Sequence, residues 1–133
     1  FGDYGVGKSG LLKSIVSALV KAGVRAKYVR ANDILGEIRS AYDTGIPEDA
    51  ITEKIMHYQF LAVDEVDRIS DTEWARATLF GILDKRYNAR HLMCTAMATN
   101  QWPDRMGDSW KYLMNRMLDG VRVPVGGICL RGT

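Results

Sequence analysis

Near the start of the chain, Gly2, Gly7, Lys8 and Ser9 stand at the spacing G-x-x-x-x-G-K-[ST], and helix-forming residues follow without a gap. The pattern demands a tight loop that opens straight into a helix. Glycines there let backbone N–H groups curl around phosphates, the lysine reaches the β and γ oxygens, and the serine hydroxyl suits Mg²⁺. Orphan amides and the dipole of a helix N-terminus favour an anion at the same point. Gly2, Asp3, Tyr4, Gly5, Val6, Gly7, Lys8 and Ser9 are therefore candidate residues for binding ATP or ADP, with Ser9 also a candidate Mg²⁺ ligand. A glycine-rich turn that merely starts a helix is the bland alternative.

The rest of the chain alternates helical and strand patterns. Leu11, Leu12, Ile15, Val16, Leu19 and Val20 recur at helical spacing, with Gly23 as a stop. Residues 25–30 read as a short strand whose polar bias suits a sheet edge. Asn32 or Asp33 can cap a second helix carrying Ile34, Leu35, Ile38, Ala41 and Tyr42 and ending near Gly45. Pro47 opens a third helix of about ten residues. Residues 59–64 are almost continuously apolar, as in a strand buried on both faces of a parallel sheet. Ser70 and Glu73 have capping-box spacing before a long helix through Asn88, with Trp74, Ala77, Leu79, Ile82 and Leu83 as its apolar positions. A second buried strand is expected over 91–98, a helix over 109–118 and a last strand over 121–130. Such alternation predicts an α/β fold with a mostly parallel sheet sandwiched by helices, its ligands held at the carboxyl ends of the strands. A phosphate loop is normally fed by its own strand, yet only Phe1 precedes Gly2, so residues 1–133 read as one domain whose first strand is largely missing.

Composition narrows the class without naming a partner. The 133 residues suffice for one core, and 18 basic against 16 acidic side chains leave a net charge of +2, too slight to argue for or against nucleic acid. No apolar run approaches bilayer length and no signal-peptide layout opens the chain, so the expectation is a soluble cytoplasmic protein without a membrane partner. Cys94 and Cys129 lack metal-site or redox spacing and read as buried free thiols.

Beyond the loop, chemistry concentrates at strand ends. Asp64 can hold the hydration shell of Mg²⁺, and Glu65 can orient and deprotonate a water that attacks the γ-phosphoryl group. A solvated acidic strand end is the alternative. Asn100, at the end of the next strand, can reach a γ-phosphate or that water, or simply form a turn. Arg116 points away from the apolar arc of its helix; an arginine so exposed can enter a neighbouring subunit's nucleotide site, or only be solvated.

Taken in order, the phosphate loop, the run Phe60 to Glu65, Met97 to Asn100, and Leu113 to Met117 resemble the AAA+ ATPases of the DnaC and IstB type over essentially the whole chain. The stretch from Leu79 to Tyr87 adds to the likeness, and of the two branches the helicase loader looks closer. The resemblance implies an Mg²⁺-dependent ATPase that assembles into a ring or spiral and loads or remodels a replicative DNA helicase on single-stranded DNA. The alternative is an IstB-type transposition helper acting on duplex DNA with a transposase. It further implies that Gly2, Gly5, Gly7, Lys8 and Ser9 form Walker A, Asp64 and Glu65 Walker B, Asn100 sensor 1, and Arg116 the trans-acting arginine finger. Tyr42, Thr72 and Trp74 match positions that touch single-stranded DNA, where an aromatic ring stacks on bases; packing of both rings against the core is the competing expectation. Sensor 2 is expected beyond Thr133, so Arg131 is not assigned that role. A small-molecule phosphotransferase fits less well, because Glu65 beside Asp64 would activate water. A nucleotide-gated binding module with negligible turnover is a further alternative.

Overall fold

A computed structural model describes residues 7–70, 72–89 and 93–99. Within them α1 (Lys8–Lys21) precedes β1 (Ala26–Arg30), which runs straight into α2 (Ala31–Thr44); α3 (Glu48–Met56), β2 (Phe60–Asp64), α4 (Glu73–Asn88) and β3 (Cys94–Met97) follow. The three described strands form one parallel sheet in the order β1-β2-β3, with Tyr28 opposite Ala62 and Ala62 opposite Ala96. The α/β class and parallel sheet expected from the alternation are therefore present. The polar strand β1 lies at an edge of the described sheet, and the apolar strand β2 lies at its centre.

Side chains alternate across a sheet, so the register divides them between two faces. Leu61 and Val63 join Ile34, Leu35, Ile38, Leu79, Ile82 and Leu83 in the main core under α2 and α4. Ala62 and Ala98 face α1 instead and pack with Leu12, while Val16, Tyr28, Phe60 and Ala96 lean against them half-buried. Alanines on that face allow α1 to lie close to the strands that carry Asp64. Helices thus cover both faces, which is the sandwich the sequence predicts.

Several local expectations change. α2 begins at Ala31, fully buried where β1 ends, so neither Asn32 nor Asp33 is its cap; Asn32 Nδ2 instead donates to the Arg68 carbonyl at 3.0 Å. Gly45 does close this helix, adopting the left-handed φ of 74° that a side chain resists. Pro47 occupies the cap position before the nine residues of α3 rather than the first helical position. Thr72, not Ser70, caps α4 by accepting the Ala75 N–H at 3.2 Å, because a 3-10 turn over Val66–Arg68 uses up the intervening chain.

The buried stripe of α4 is Ala75, Leu79, Ile82, Leu83 and Arg86, so Ala77 falls off it and is exposed. Of the six apolar positions expected on α1, Leu12, Val16 and Leu19 are at least half-buried, whereas Leu11, Ile15 and Val20 are exposed. β3 is shorter and less buried than expected within the described residues. Cys94 is a free but exposed thiol at the start of β3, opposite half-buried Phe60. Gly2, Asp3, Tyr4, Gly5, Val6, Asn100, Arg116, Cys129, the expected 109–118 helix and the expected 121–130 strand lie outside the described residues.

Arg86 is the largest fully buried side chain described, at 1% exposure. Burial lowers its pKa by disfavouring the charged form, and four acceptors answer that cost. Its guanidinium donates to the carbonyls of Ile55 (3.0 Å), Tyr58 (2.8 Å) and Cys94 (2.9 Å) and to Thr95 Oγ1 (2.7 Å). One side chain thereby ties the end of α3 and the starts of β2 and β3 to α4.

Candidate functional site

The site grows from the junction of the glycine loop with α1. Gly7 has φ 98° and ψ 16°, a left-handed conformation that lets the chain turn directly into the helix. Because Gly7 has no side chain, the first turn of α1 is left without a side-chain cap. Its leading amides keep the anion-binding character of a bare helix N-terminus. Lys8, the first helical residue, is buried.

Asp64 reaches this turn because it ends β2 on the α1 face, in step with Phe60 and Ala62. Its carboxylate is 2% exposed and accepts three hydrogen bonds. Ser9 Oγ and Tyr28 Oη each donate to Oδ2 at 2.5 Å, and the Glu65 N–H donates to Oδ1 at 2.9 Å. A hydroxyl from α1 and a hard carboxylate from the sheet are thus brought together at the carboxyl end of the strands. This oxygen donor set suits Mg²⁺. Tyr28 was missed by the sequence reading; its parity with Asp64 on adjacent strands was the available signal, but strand register is not visible from one strand alone. Burial and the bond to Asp64 push the phenol up to about 12, so it is a donor at neutral pH.

Glu65 has an unusual backbone. At φ 54° and ψ 42° it is left-handed, the one non-glycine residue with positive φ among those described. Such a conformation costs about 1–3 kcal/mol and persists only where its surroundings hold it. They do: Val66 N–H donates to the Ala98 carbonyl at 3.1 Å, and Arg68 N–H closes the 3-10 turn onto the Glu65 carbonyl at 3.0 Å. The bend lifts Glu65 out of the strand direction directly beside Asp64, leaving it half-buried. Thr99, the last described residue before Asn100, is buried at the end of the adjoining segment.

Tyr42, Thr72 and Trp74 lie apart from this cluster, on α2 and at the start of α4. The Tyr42 and Trp74 rings meet at 6.4 Å between centroids, and the Arg39 guanidinium lies 4.8 Å above the Trp74 ring. Trp74 is half-buried against the main core while Tyr42 is 53% exposed. Core packing is thus met by Trp74 and not by Tyr42, whose ring faces solvent. Thr72 has its hydroxyl engaged as the α4 cap.

The sequence profile of the family described as IstB-like ATP binding protein matches residues 1–124. The chain belongs to this family. Over 96 residues it is 30% identical to the "Putative insertion sequence ATP-binding protein y4iQ/y4nD/y4sD" of Sinorhizobium fredii (strain NBRC 101917 / NGR234), a match covering 72% of this chain and 32% of that protein. The chain thus spans about a third of the length of this curated relative. Its fold resembles domain III of the Thermotoga maritima replication initiation protein DnaA, with a TM-score of 0.83 at 19% identity, covering 94% of this chain and 52% of the other. It also resembles the DnaC helicase loader, with a TM-score of 0.70 at 23% identity, covering 93% and 73%. At these identities the structural likenesses establish the fold alone. Among the described residues no helix is long and apolar enough to cross a membrane.

Proposed function

We propose that this chain is the ATP-hydrolysing core of a transposition helper, acting on duplex DNA together with a transposase. One observation carries the nucleotide site: the Ser9 hydroxyl and the Asp64 carboxylate converge at the uncapped start of α1. The family description and the insertion-sequence relative favour a transposition helper over the helicase loader expected from the sequence, since the likeness to DnaC extends to fold only. The matching donor set supports Mg²⁺ as the resident cation, with Ser9 and Asp64 to hold it. When bound, Mg²⁺ would neutralise charge on the β- and γ-phosphates.

The remaining roles belong to side chains. Gly7 and the first amides of α1 receive phosphate oxygens, with the earlier glycines Gly2 and Gly5, and Lys8 supplies the opposing charge. Glu65 orients the attacking water and accepts its proton, and the backbone bend at this position fixes its direction relative to Asp64. Asn100 holds the same water or the γ-phosphate. Arg116 stabilises charge in a neighbouring subunit's site, which makes the active unit a pair of subunits within a ring or spiral.

Phosphate release from Mg·ATP without any acceptor tests the reaction, and phosphate appearing only on an added acceptor overturns it. Mixing Arg116→Ala with Glu65→Gln protein should restore turnover, because one interface then combines an intact Glu65 with an intact Arg116; no recovery removes the shared site. Affinity for duplex and single-stranded DNA, compared across salt concentrations, separates transposition helper from helicase loader. Single-strand preference at every salt concentration would overturn the duplex assignment.

A further inference from the structure

The Asp64 carboxylate has a donor that the phosphate-loop pattern does not supply. Tyr28 lies in the middle of β1 opposite Ala62, and its phenol extends along the α1 face of the sheet to Asp64, two positions further along β2. Ala62, fully buried and ending at a methyl group, leaves this path open. The ring is held by packing in the cluster with Leu12 and Val16, and Lys13 Nζ lies 5.0 Å over its face. The phenol is therefore a fixed donor on an edge strand rather than a mobile surface hydroxyl.

An aspartate turns about two side-chain bonds, and a cation ligand must present its oxygens in a fixed direction. Partners behind such a ligand set its orientation and its affinity for metal. Asp64 has three: the Glu65 amide on Oδ1, and Ser9 and Tyr28 on Oδ2. Ser9 is itself a proposed cation ligand, so Tyr28, which hydrogen-bonds to both Asp64 and Ser9, is the side chain of the cluster that holds the ligands without being one.

We propose that Tyr28 is a positioning residue for the cation, fixing Asp64 so that the site binds Mg²⁺-complexed nucleotide in preference to free nucleotide. The proposal rests on the nucleotide-site reading above. The experiment measures binding of a non-hydrolysable ATP analogue to the full chain, once with Mg²⁺ and once with EDTA, for the wild type, Tyr28→Phe and Tyr28→Met. The readout is the ratio of the two affinities, which a loss of folded protein leaves unchanged. Both variants are expected to shrink that ratio about tenfold or more while the EDTA affinity stays at the wild-type value. A wild-type ratio in either folded variant overturns the role of Tyr28, even if its melting temperature falls. A wild-type protein that binds equally with and without Mg²⁺ overturns the site reading itself, and this inference with it.

Discussion

The two faces of the sheet are built to different ends. The α2 and α4 face gathers thirteen buried apolar residues among those described, closed at one end by the Arg86 network, whereas the α1 face gathers three. A sheet stabilised equally from both sides would use large aliphatic residues on each. This one places Ala62, Ala96 and Ala98 under α1, together with a phenol and a carboxylate. Small residues sacrifice apolar contact and give the first turn of α1 access to Asp64. Stability resides on one face and chemistry on the other.

That division is broken most directly by substitutions that should move one property without the other. Glu65→Gln, at the strand end, should lower phosphate release about 100-fold or more while leaving the melting temperature where it was. A parallel fall in melting temperature would mean that the site also supports the fold. Arg86→Met, on the opposite face, should cost about 3 kcal/mol or more in urea denaturation, because it removes the guanidinium bonds to the buried Ile55 carbonyl and the part-buried carbonyls of Tyr58 and Cys94. Nucleotide affinity of the folded fraction should be unchanged. A matched pair then compares the two cores: Leu79→Ala, at 0% exposure, belongs near the upper end of the roughly 2–5 kcal/mol range for such truncations, and Leu12→Ala at or below its lower end. Equal losses would contradict the asymmetry.

Legibility from the sequence follows the same line. Periodicity revealed α2 and α4, because their apolar residues must recur on the face that meets the main core, and an unbroken apolar run revealed β2, which is covered on both faces. It overstated α1, whose six apolar positions include three that are exposed, since composition records what a residue is and not whether anything covers it. Arg86 was hidden by its charge, although it continues the stripe of Leu79, Ile82 and Leu83 into the last turn of α4. The phosphate loop pointed to Ser9, and the end of an apolar strand pointed to Asp64 and Glu65, because each is a local pattern. Tyr28 could not be found in that way, for its role exists only once β1 and β2 are in register. The Glu65 bend was equally invisible: glutamate has no preference for left-handed backbone, and the turn and the Ala98 carbonyl impose it.

That bend yields the smallest expected effect and the sharpest. Left-handed backbone costs a side-chain-bearing residue about 1–2 kcal/mol, and glycine avoids this at the expense of about 0.4–1 kcal/mol of extra freedom in the unfolded chain. Glu65→Gly should therefore stabilise the protein by about 0.5–1 kcal/mol over wild type. Glu65→Ala removes the same carboxylate but keeps the Cβ and its conflict, so its stability should remain near the wild-type value. Both variants lose the proposed base, so turnover cannot distinguish them and denaturation can. A glycine variant no more stable than the alanine variant would show that the bend stores no strain. A gain confined to glycine would mean that the chain holds its acidic strand end in a conformation its own folding opposes, which is where a site sacrifices stability for direction.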